Sequence, residues 1–432
     1  MWLWEVSVSK AGYDVIVVGA GPAGSLAALV LARGGARVCL VDKAKLGRDK
    51  ACGDLIGPRG VRLLEELGLS VPGALTAGDM IVVGPTGRRV LLPAKAGKDY
   101  PGHALVVPRS RFDALLRGAA FDAGVVDVPA RVVSVDGGRV VLDGEAGITA
   151  DAVIGADGAT SITARSAGLV DPARVLWGFA IRGYLPAEVA LPVIALWNDQ
   201  PRRGFPGYGW LFPGPDGANL GLGVGLGHSR QHAHRAQQQL ETFCAHLASI
   251  GLLDAEQCGP ARQLGGWLKM GLVGTRPAQG KVLLVGDAAG LVNPLQGEGI
   301  AQALASGRAA ARAILDQPGA AAGTYRRWVD DTYGRWTSVT TAVHASLVRR
   351  PRQIARLSAT LTAPLVAPRI ASTWAIYWNN LADGASPGLP VTAAHAVHHI
   401  GRIASAGSRL RRSLRHDLDD DVWNFAVNAR SR

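Results

Sequence analysis

The stretch that decides the fold is DVIVVGAGPAGSLAALVLARGGARVCLVD, from Asp14 to Asp42. It begins with an apolar run that ends at the turn GAGPAG (residues 19–24). An alanine- and leucine-rich segment follows, and a second apolar run ends at Asp42. This order predicts a strand, a tight turn, a helix, a second strand and an acidic residue. Dinucleotide-binding folds use this arrangement to hold a pyrophosphate at the N-terminus of the helix.

The glycines and the acid of this stretch have separate expected roles. Gly19 forms the turn, Gly21 lets the backbone approach the phosphates, and Gly24 allows the helix to pack closely on the strand. Asp42 stands about twenty residues further on, where it can accept a hydrogen bond from a ribose hydroxyl. The start of the chain therefore predicts a dinucleotide-binding site.

Composition and charge indicate a folded, basic protein. Of the 432 residues, 48% are hydrophobic and 19% are charged, and the formal net charge is +12. These proportions are typical of a globular protein and exclude a disordered one. The sequence contains no nucleic-acid-binding motif, so we expect no nucleic-acid partner. A solvated basic surface and contact with an anionic membrane surface both remain open.

The spacing of the cysteines and the lengths of the apolar runs indicate the cellular compartment of the protein. Cys39, Cys52, Cys244 and Cys258 stand far apart, without paired CxxC spacing. This pattern predicts a reduced, cytoplasmic protein without structural zinc or another metal site. The first residues lack the features of a signal peptide, and no run of about eighteen apolar residues occurs. We therefore expect a cytoplasmic location, with a peripheral position at the inner face of the membrane as the open alternative.

Helix-like and strand-like patterns alternate up to about residue 170, and a strand-rich segment follows from about residue 175 to residue 225. The predicted class is α/β, with a Rossmann-like nucleotide-binding domain that is interrupted by a β-rich substrate domain and followed by a C-terminal helical region. The nucleotide-binding domain is predicted at residues 1–75, 100–170 and 275–325, the substrate domain at 76–99 and 171–274, and the helical region at 326–432.

Two helices and their ends are predicted from local signals. Ser110–Gly124 has apolar residues at helical spacing, with Ser110 as the expected N-cap and Gly124 as the stop. Gly299–Asp316 is an alanine-rich segment that predicts a second long helix.

The C-terminal region is basic and partly apolar. From Tyr325 to Arg432 it contains 15 Arg, no Lys or Glu, and 7 Asp, which gives 15 − 7 = +8. Leu361–Trp378 is apolar and contains Trp, but Pro364 and Pro368 interrupt it. This pattern predicts helices that cover an apolar channel or lie on a membrane without spanning it.

Three further segments resemble the FAD-binding pattern of the para-hydroxybenzoate hydroxylase-type flavoprotein superfamily. They are a strand that ends at Asp157, a strand that ends at Asp287 before a glycine-rich loop, and a segment around Arg109 between the two. The resemblance implies that FAD is the dinucleotide. It also implies that Asp287 holds a ribityl hydroxyl and that Arg109 contacts the flavin nucleotide. The turn Gly297–Ile300 would aim helix N–H groups at the flavin edge where negative charge develops on reduction.

Three motifs narrow the resemblance to the geranylgeranyl reductase family, which saturates prenyl double bonds. They are KACGD (residues 50–54), YGWLFP (208–213) and NPLQGEGI (293–300), and the resemblance runs from about residue 13 to residue 315. It implies an FAD-dependent oxidoreductase that reduces carbon–carbon double bonds of an isoprenoid substrate. The alternative is an FAD-dependent monooxygenase that modifies an aromatic or polyketide-like compound. The cofactor-binding residues expected on this basis are Gly19, Gly21, Gly24, Asp42, Lys43, Cys52, Gly53, Leu55, Arg109, Ala130, Asp157, Gly286, Asp287, Gly297, Gly299 and Ile300.

The catalytic candidates are Cys52, Tyr208 and Trp210. Tyr208 and Trp210 stand two residues apart on one face of a predicted strand, where they either line the substrate cavity or belong to the core of the sheet. Cys52 is either a thiol near the flavin or a buried structural residue. The proton donor stays open between Tyr208, Cys52 and an ordered water. The electron donor stays open between NAD(P)H and a ferredoxin-like carrier, because no second dinucleotide motif is present.

Overall fold

The computed structural model describes residues 12–144, 147–197, 207–226, 231–259 and 262–407. Part of the predicted strand-rich segment (198–206) and the last part of the basic C-terminal region (408–432) lie outside the described residues. The described chain mixes strands and helices in its first three quarters and is helical after them, which confirms the predicted α/β class. The exact domain boundaries stay a prediction.

The strands form a first sheet, a second sheet and a small three-stranded sheet. In chain order the strands are β1 (Tyr13–Val18), β2 (Val38–Val41), β3 (Leu55–Ile56), β4 (Leu75–Ala77), β5 (Met80–Val83), β6 (Arg89–Leu92), β7 (Ala104–Val106), β8 (Val126–Val128), β9 (Val132–Asp136), β10 (Arg139–Leu142), β11 (Ile148–Gly155), β12 (Leu176–Leu185), β13 (Val193–Ala195), β14 (Gly207–Phe212), β15 (Ala218–Leu226), β16 (Gln263–Met270), β17 (Ala278–Gln279) and β18 (Val282–Leu284).

Helices pack on both the first and the second sheet, and the end of the described chain is helical. In chain order they are α1 (Pro22–Arg33), α2 (Pro58–Glu66), α3 (Arg109–Asp122), α4 (Ile162–Ser166), α5 (Gln231–Ser249), α6 (Ile300–Asp316), α7 (Ala321–Val329), α8 (Arg335–Arg349), α9 (Pro351–Leu361), α10 (Ala367–Trp378) and α11 (Leu389–Gly407).

The first sheet gathers the predicted cofactor residues at one edge. Its central strands run parallel in the order β18-β11-β1-β2-β8. Val18, the last residue of β1, pairs with Val41 on one side and with Gly155 on the other. Since the carboxyl ends of parallel strands meet at one edge, the segments that follow β1, β2, β11 and β18 lie side by side there. This edge is the position that the sequence predicts for the dinucleotide.

The N-cap of the helix that contains Ser110 lies two residues earlier than predicted. The helix starts at Arg109, its N-cap is Pro108, and no side chain caps its first turn, so the prediction of Ser110 as the N-cap was wrong. Pro108 has the extended conformation that precedes a helix, and this leaves Ser110 inside the first turn. The other long helix starts at Ile300 and ends at Asp316, close to the predicted bounds.

The second sheet has two covered faces. Its order is β16-β12-β15-β14-β13-β5-β6, and all its neighbouring strands are antiparallel except β5 and β13. On one face, Phe243 and Leu240 of α5 pack into the core of the sheet. On the other face, Trp210 and Ile194 pack with Trp374 of α10. The sheet therefore links the N-terminal fold to the C-terminal helices.

The C-terminal helices follow the predicted breaks. Helix α9 ends at Leu361 and α10 begins at Ala367, so Pro364 lies between the two helices and Pro368 lies in the first turn of α10. Helix α10 packs on the second sheet, as expected of a helix that covers an apolar channel. Within the described part of the chain, no helix has the length and apolar character needed to cross a membrane.

Candidate functional site

A cavity of about 1440 Å³ opens where the edge of the first sheet, the second sheet and the C-terminal helices meet. Pockets for drug-sized ligands are typically about 300–1,000 Å³, so this cavity has room for a dinucleotide and a second long molecule. All but two of the predicted site residues line it. They are Gly19, Gly21, Asp42, Lys43, Cys52, Gly53, Leu55, Arg109, Ala130, Asp157, Tyr208, Trp210, Asp287, Gly297, Gly299 and Ile300.

The other two predicted residues, Gly24 and Gly286, lie behind the cavity wall at close contacts between elements. A Cβ atom at Gly24 would lie 1.8 Å from the carbonyl oxygen of Gly19, so only glycine lets α1 pack this closely on the turn. A Cβ atom at Gly286 would lie 3.2 Å from the Cβ of Ala23 and 3.3 Å from the Cβ of Ala303. Both glycines fix the position of the turns that do reach the cavity.

The turn after β1 has the conformation that a phosphate-binding loop needs. Gly19 has a φ of +103°, a value that favours glycine. Helix α1 follows with Gly21 as its N-cap and no side-chain cap. Helix α6 also begins at an N-cap glycine, Gly299, without a side-chain cap. The first N–H groups of both helices are therefore left for a ligand in the cavity, which fits a cofactor with anionic or electron-rich groups.

Asp42 is held by the turn that it faces. Its Oδ2 accepts a hydrogen bond from the Ala20 N–H at 2.6 Å, and its Oδ1 accepts one from the Ala44 N–H at 2.7 Å. A carboxylate has about four acceptor sites, so capacity remains for a hydroxyl in the cavity. These two bonds fix the carboxylate of Asp42 in place before any ligand binds.

Asp287 lies in a cluster of charges at the end of β18. Its Oδ2 is 3.4 Å from the Nζ of Lys50. Behind the cavity wall, the fully buried Lys269 donates a hydrogen bond from Nζ to the carbonyl oxygen of Ala288 at 2.5 Å. Burial lowers the pKa of Lys269 to about 8, while the charges of Asp157 and Asp287 raise it. The two lysines are thus placed to hold the Asp287 turn from both sides.

Arg109 is a buried cation whose direction is fixed by a neighbour on the same helix. Its Nε and one terminal nitrogen donate hydrogen bonds to the two carboxylate oxygens of Asp113, at 2.7 and 2.8 Å. This is the bidentate geometry that makes arginine–carboxylate pairs strong and directional. Arg109 therefore reaches the cavity wall in a fixed orientation beside Cys52.

The turn that carries Cys52 is held by a buried network that the sequence did not reveal. Asp54, at a φ of +63°, accepts hydrogen bonds from the Tyr184 hydroxyl (2.5 Å), the Asn219 amide nitrogen (2.8 Å) and the Arg109 N–H (3.2 Å). Asn219 also donates to the Cys52 carbonyl oxygen at 2.9 Å. Asp54 is part of the quoted KACGD motif, but its partners are up to 165 residues away in the sequence.

Tyr208, Trp210 and Phe212 lie along one face of β14 and form an aromatic wall. Their successive ring centroids are 6.2 and 6.3 Å apart. The Nε1 of Trp210 donates a hydrogen bond to the Asn219 side-chain oxygen at 2.9 Å, and a Cβ atom at Gly221 would lie 2.1 Å from the Trp210 ring. Trp210 is only 5% exposed, yet it lines the cavity. Trp210 is therefore a core residue of the sheet that also lines the cavity, and its contact with a substrate stays a prediction.

The far end of the cavity is built by the C-terminal helices. Leu357 and Leu361 of α9, together with Trp374 and Trp378 of α10, contribute apolar surface. The Trp378 ring packs edge-on against Tyr208, with centroids 6.3 Å apart. The cavity thus has a polar end at the strand edge and an apolar end at these helices. An extended apolar molecule placed in the apolar end would point one end at the cofactor turns.

Comparisons with known proteins agree with this geometry. A family model described as FAD binding domain matches residues 12–333. A protein named menaquinone reductase, from Mycolicibacterium smegmatis, is 37% identical over 314 residues, which cover 69% of this chain and 75% of the relative. A protein named digeranylgeranylglycerophospholipid reductase 2, from Methanopyrus kandleri, is 32% identical over 351 residues, which cover 75% of this chain and 82% of the relative.

The fold also has a counterpart among solved structures. A geranylgeranyl bacteriochlorophyll reductase-like protein from Thermoplasma acidophilum superposes with a TM-score of 0.69 at 24% identity. The match covers 84% of this chain and 96% of that protein. At this identity the likeness shows a shared fold.

Proposed function

This chain belongs to the geranylgeranyl reductase family of FAD-dependent oxidoreductases, and on that premise we propose that it saturates carbon–carbon double bonds of an isoprenoid chain. The observation that carries the proposal is one continuous cavity with cofactor-type turns at one end and an apolar aromatic wall at the other. A geranylgeranyl-like chain or a prenyl tail suits that apolar end. The names of the relatives, which refer to menaquinone and to a digeranylgeranyl lipid, support the same substrate class.

We assign the FAD contacts to the residues that line the polar end. The turn at Gly19 and the N-terminus of α1 would bind the diphosphate, and Asp42 would bind a ribose. Asp287 would hold a ribityl hydroxyl, and the uncapped N-terminus of α6 would face the flavin edge. The domain division into residues 1–75, 100–170 and 275–325 for FAD and 76–99 and 171–274 for substrate is part of this proposal.

The chain's own residues then have two tasks in the reaction. Bound FAD, when reduced, supplies a hydride for the alkene. An isolated alkene accepts hydride poorly, so the wall residues must hold the reacting carbon in register and keep water out. We assign this task to Tyr208 and Trp210, and the contact of the first with Trp378 and the hydrogen bond of the second to Asn219 support the assignment.

Asp287→Ala should weaken FAD binding more than it disturbs folding. Charge-assisted hydrogen bonds from ribityl hydroxyls contribute on the order of 1.5–3 kcal/mol each, so we expect FAD affinity to fall roughly tenfold to a hundredfold. The measurement is titration of the apoprotein with FAD by flavin fluorescence. Asp122→Ala, which removes an exposed acid at the end of α3, is the matched control. Equal FAD affinity in the Asp287 variant and wild type would remove Asp287 from the cofactor site.

The direct test of the function compares two reactions of the purified, FAD-loaded protein. Chemically reduced enzyme under nitrogen should saturate a menaquinone or geranylgeranyl substrate, which mass spectrometry detects as a gain of two mass units per bond. The monooxygenase alternative instead requires oxygen uptake coupled to hydroxylation of an aromatic compound in air. NADH, NADPH and reduced ferredoxin are then compared as electron donors. Substrate-coupled oxygen uptake without alkene reduction would contradict the proposal.

We also infer that the C-terminal helices contact an anionic membrane surface from which the substrate reaches the cavity. Leu389, Ile400 and Ile403 of α11 are 86%, 65% and 62% exposed and lie on one stripe of the helix. Exposed arginines at positions 352, 356, 369 and 402 belong to the same group of helices. Each basic residue near an anionic surface contributes about 1 kcal/mol, and apolar residues on the same helices favour insertion at the interface.

Flotation with lipid vesicles tests this contact. The protein should float with vesicles that contain phosphatidylglycerol and remain below vesicles of pure phosphatidylcholine at physiological salt. Replacing Ile400 and Ile403 together by Asp should remove most of the binding and leave FAD content unchanged. Val126→Asp, at an exposed apolar position on the edge of the first sheet, is the control. Equal flotation of the double variant and wild type would contradict the proposed surface.

A further inference from the structure

Glu298 is a half-buried acid in the wall of the cavity, beside the turn that is predicted to face the flavin. It lines the cavity in the turn just before α6. Its Oε2 accepts a hydrogen bond from the Gln296 side-chain nitrogen at 3.1 Å. The carbonyl oxygen of Gln296 in turn accepts the hydroxyl hydrogen of Tyr208. The carboxyl group is therefore linked both to the predicted flavin turn and to the aromatic wall.

The second oxygen of Glu298 lies against the first turn of α2. A Cβ atom at Gly57, the N-cap of that helix, would lie 2.4 Å from Oε1. Oε1 is buried and has no hydrogen-bond partner of normal geometry among the described residues. Glu298 also precedes the N-terminus of α6 by two residues. The N-terminal end of α2 thus faces a carboxylate formed at this position and stabilises it.

Burial favours the neutral form of the same group. It raises the pKa of Glu298 to about 7, although the charge of Arg59 and the nearby donors on Gly57 and Gln302 lower the pKa. The titratable and charged groups that face Glu298 are Arg59 of α2, Tyr208 of β14 and Tyr333 between α7 and α8. Because burial raises the pKa and the nearby charge and donors lower it, the carboxyl group is protonated in part near neutral pH. It can therefore both release and regain a proton.

Tyr208 and Cys52, the side chains that the sequence left open as proton donors, are less suited to the task. The hydroxyl hydrogen of Tyr208 is donated to the Gln296 carbonyl oxygen, and burial raises the pKa of Tyr208. The Cys52 sulfur accepts a hydrogen bond from the Asp54 N–H at 3.3 Å, and burial raises the pKa of the thiol. Both groups are weaker acids than the Glu298 carboxyl, and proton transfer is most effective when the donor's pKa lies near the working pH.

On the basis of the proposed reductase function, we propose that Glu298 is the proton donor in alkene reduction. In this step the π bond breaks, and one carbon accepts the hydride that the reduced cofactor supplies. The other carbon forms a C–H bond with the proton of the Glu298 carboxyl. The two electrons come from the cofactor, which is oxidised, and water then reprotonates the carboxylate of Glu298.

The test compares Glu298→Gln with wild type in single turnovers, in which reduced enzyme is reoxidised by a prenyl substrate under nitrogen. General-acid catalysis contributes about a hundredfold to ten-thousandfold, so the variant should react at least a hundredfold more slowly with unchanged FAD content. The wild-type rate should fall as pH rises through about 7, because the carboxyl group loses its proton. This pH dependence should disappear in Glu298→Gln and persist in Glu298→Asp, which keeps a carboxyl group. Glu65→Gln, at an exposed position on α2, is the matched control.

Infrared difference spectroscopy of the FAD-loaded protein without substrate gives an independent readout. A protonated carboxyl band should titrate near pH 7 in wild type and be absent in Glu298→Gln. A Gln variant with a normal rate and pH profile, or a wild-type spectrum without this titrating band, would overturn the role of Glu298. If the Gln variant loses FAD, the Asp variant and the wild-type titration decide the question. If wild type reduces no prenyl alkene, the proposed function fails, and the infrared titration alone then decides whether Glu298 is a neutral acid.

Discussion

Gly24→Ala should yield a protein that no longer retains FAD through purification. The added Cβ would lie 1.8 Å from the Gly19 carbonyl oxygen and 3.0 Å from the Cβ of Ala156, so α1 must move away from the turn. Overpacking of this kind costs about 1–3 kcal/mol or more. The same displacement moves the helix N-terminus away from the phosphates, and we expect FAD affinity to fall by about a hundredfold. The measurements are the ratio of flavin to protein and the melting temperature.

The control for this substitution is another helical glycine. Gly118 lies inside α3 and has no atom within 4 Å of the position that its Cβ would take. Gly118→Ala should therefore be neutral or stabilise the protein by up to about 1 kcal/mol, because alanine has the higher helix propensity. A Gly24→Ala protein with normal flavin content would show that α1 does not form the phosphate site.

Trp210→Ala should reduce both stability and turnover, because the residue belongs to the core and to the cavity wall at once. Removal of a buried Trp side chain typically costs about 3–5 kcal/mol, and the Asn219 oxygen loses its donor. The space left beside the substrate loosens its register, and a misplacement of about 1 Å can cost on the order of a hundredfold in rate. We expect the melting temperature and the single-turnover rate to fall together while FAD remains bound.

Trp210→Phe separates the contribution of the aromatic ring from that of the hydrogen bond to Asn219. It keeps an aromatic ring against Gly221 and the neighbouring Tyr208 but removes the hydrogen bond to Asn219. Its stability and rate should lie between those of wild type and Trp210→Ala. A stable Trp210→Ala protein with normal turnover would place the substrate elsewhere.

The sequence predicted the strands, turn and helix at the edge of the first sheet, because these elements depend on patterns among nearby residues. The turn at Gly19, the strands that flank it and the helix that ends at Asp316 are each determined by patterns within about twenty residues. The shared face of Tyr208 and Trp210 followed from the two-residue period of a strand. The N-cap assignment at Ser110 failed because Pro108 ends the preceding segment and the helix begins directly after it.

The parts that the sequence did not predict depend on contacts across long distances in the chain. Asp54 is held by Tyr184 and Asn219, and neither partner is near it in the sequence. Glu298 was visible only as one acid in a glycine-rich motif. Its burial, which gives it the properties of an acid catalyst, depends on how α2 and β14 pack around it. A local sequence pattern does not predict such an environment.

The cavity wall is built by two parts of the chain, and the apolar end comes largely from the last helices. The match to the FAD-binding family model ends at residue 333, but the cavity wall continues through α9 and α10 to Val391. Substitutions in these last helices alter the length and shape of the apolar end and leave the turns at Gly19 and Asp287 untouched. Under the proposed function, such substitutions would change which hydrocarbon chain fits the cavity without changing the residues assigned to the cofactor.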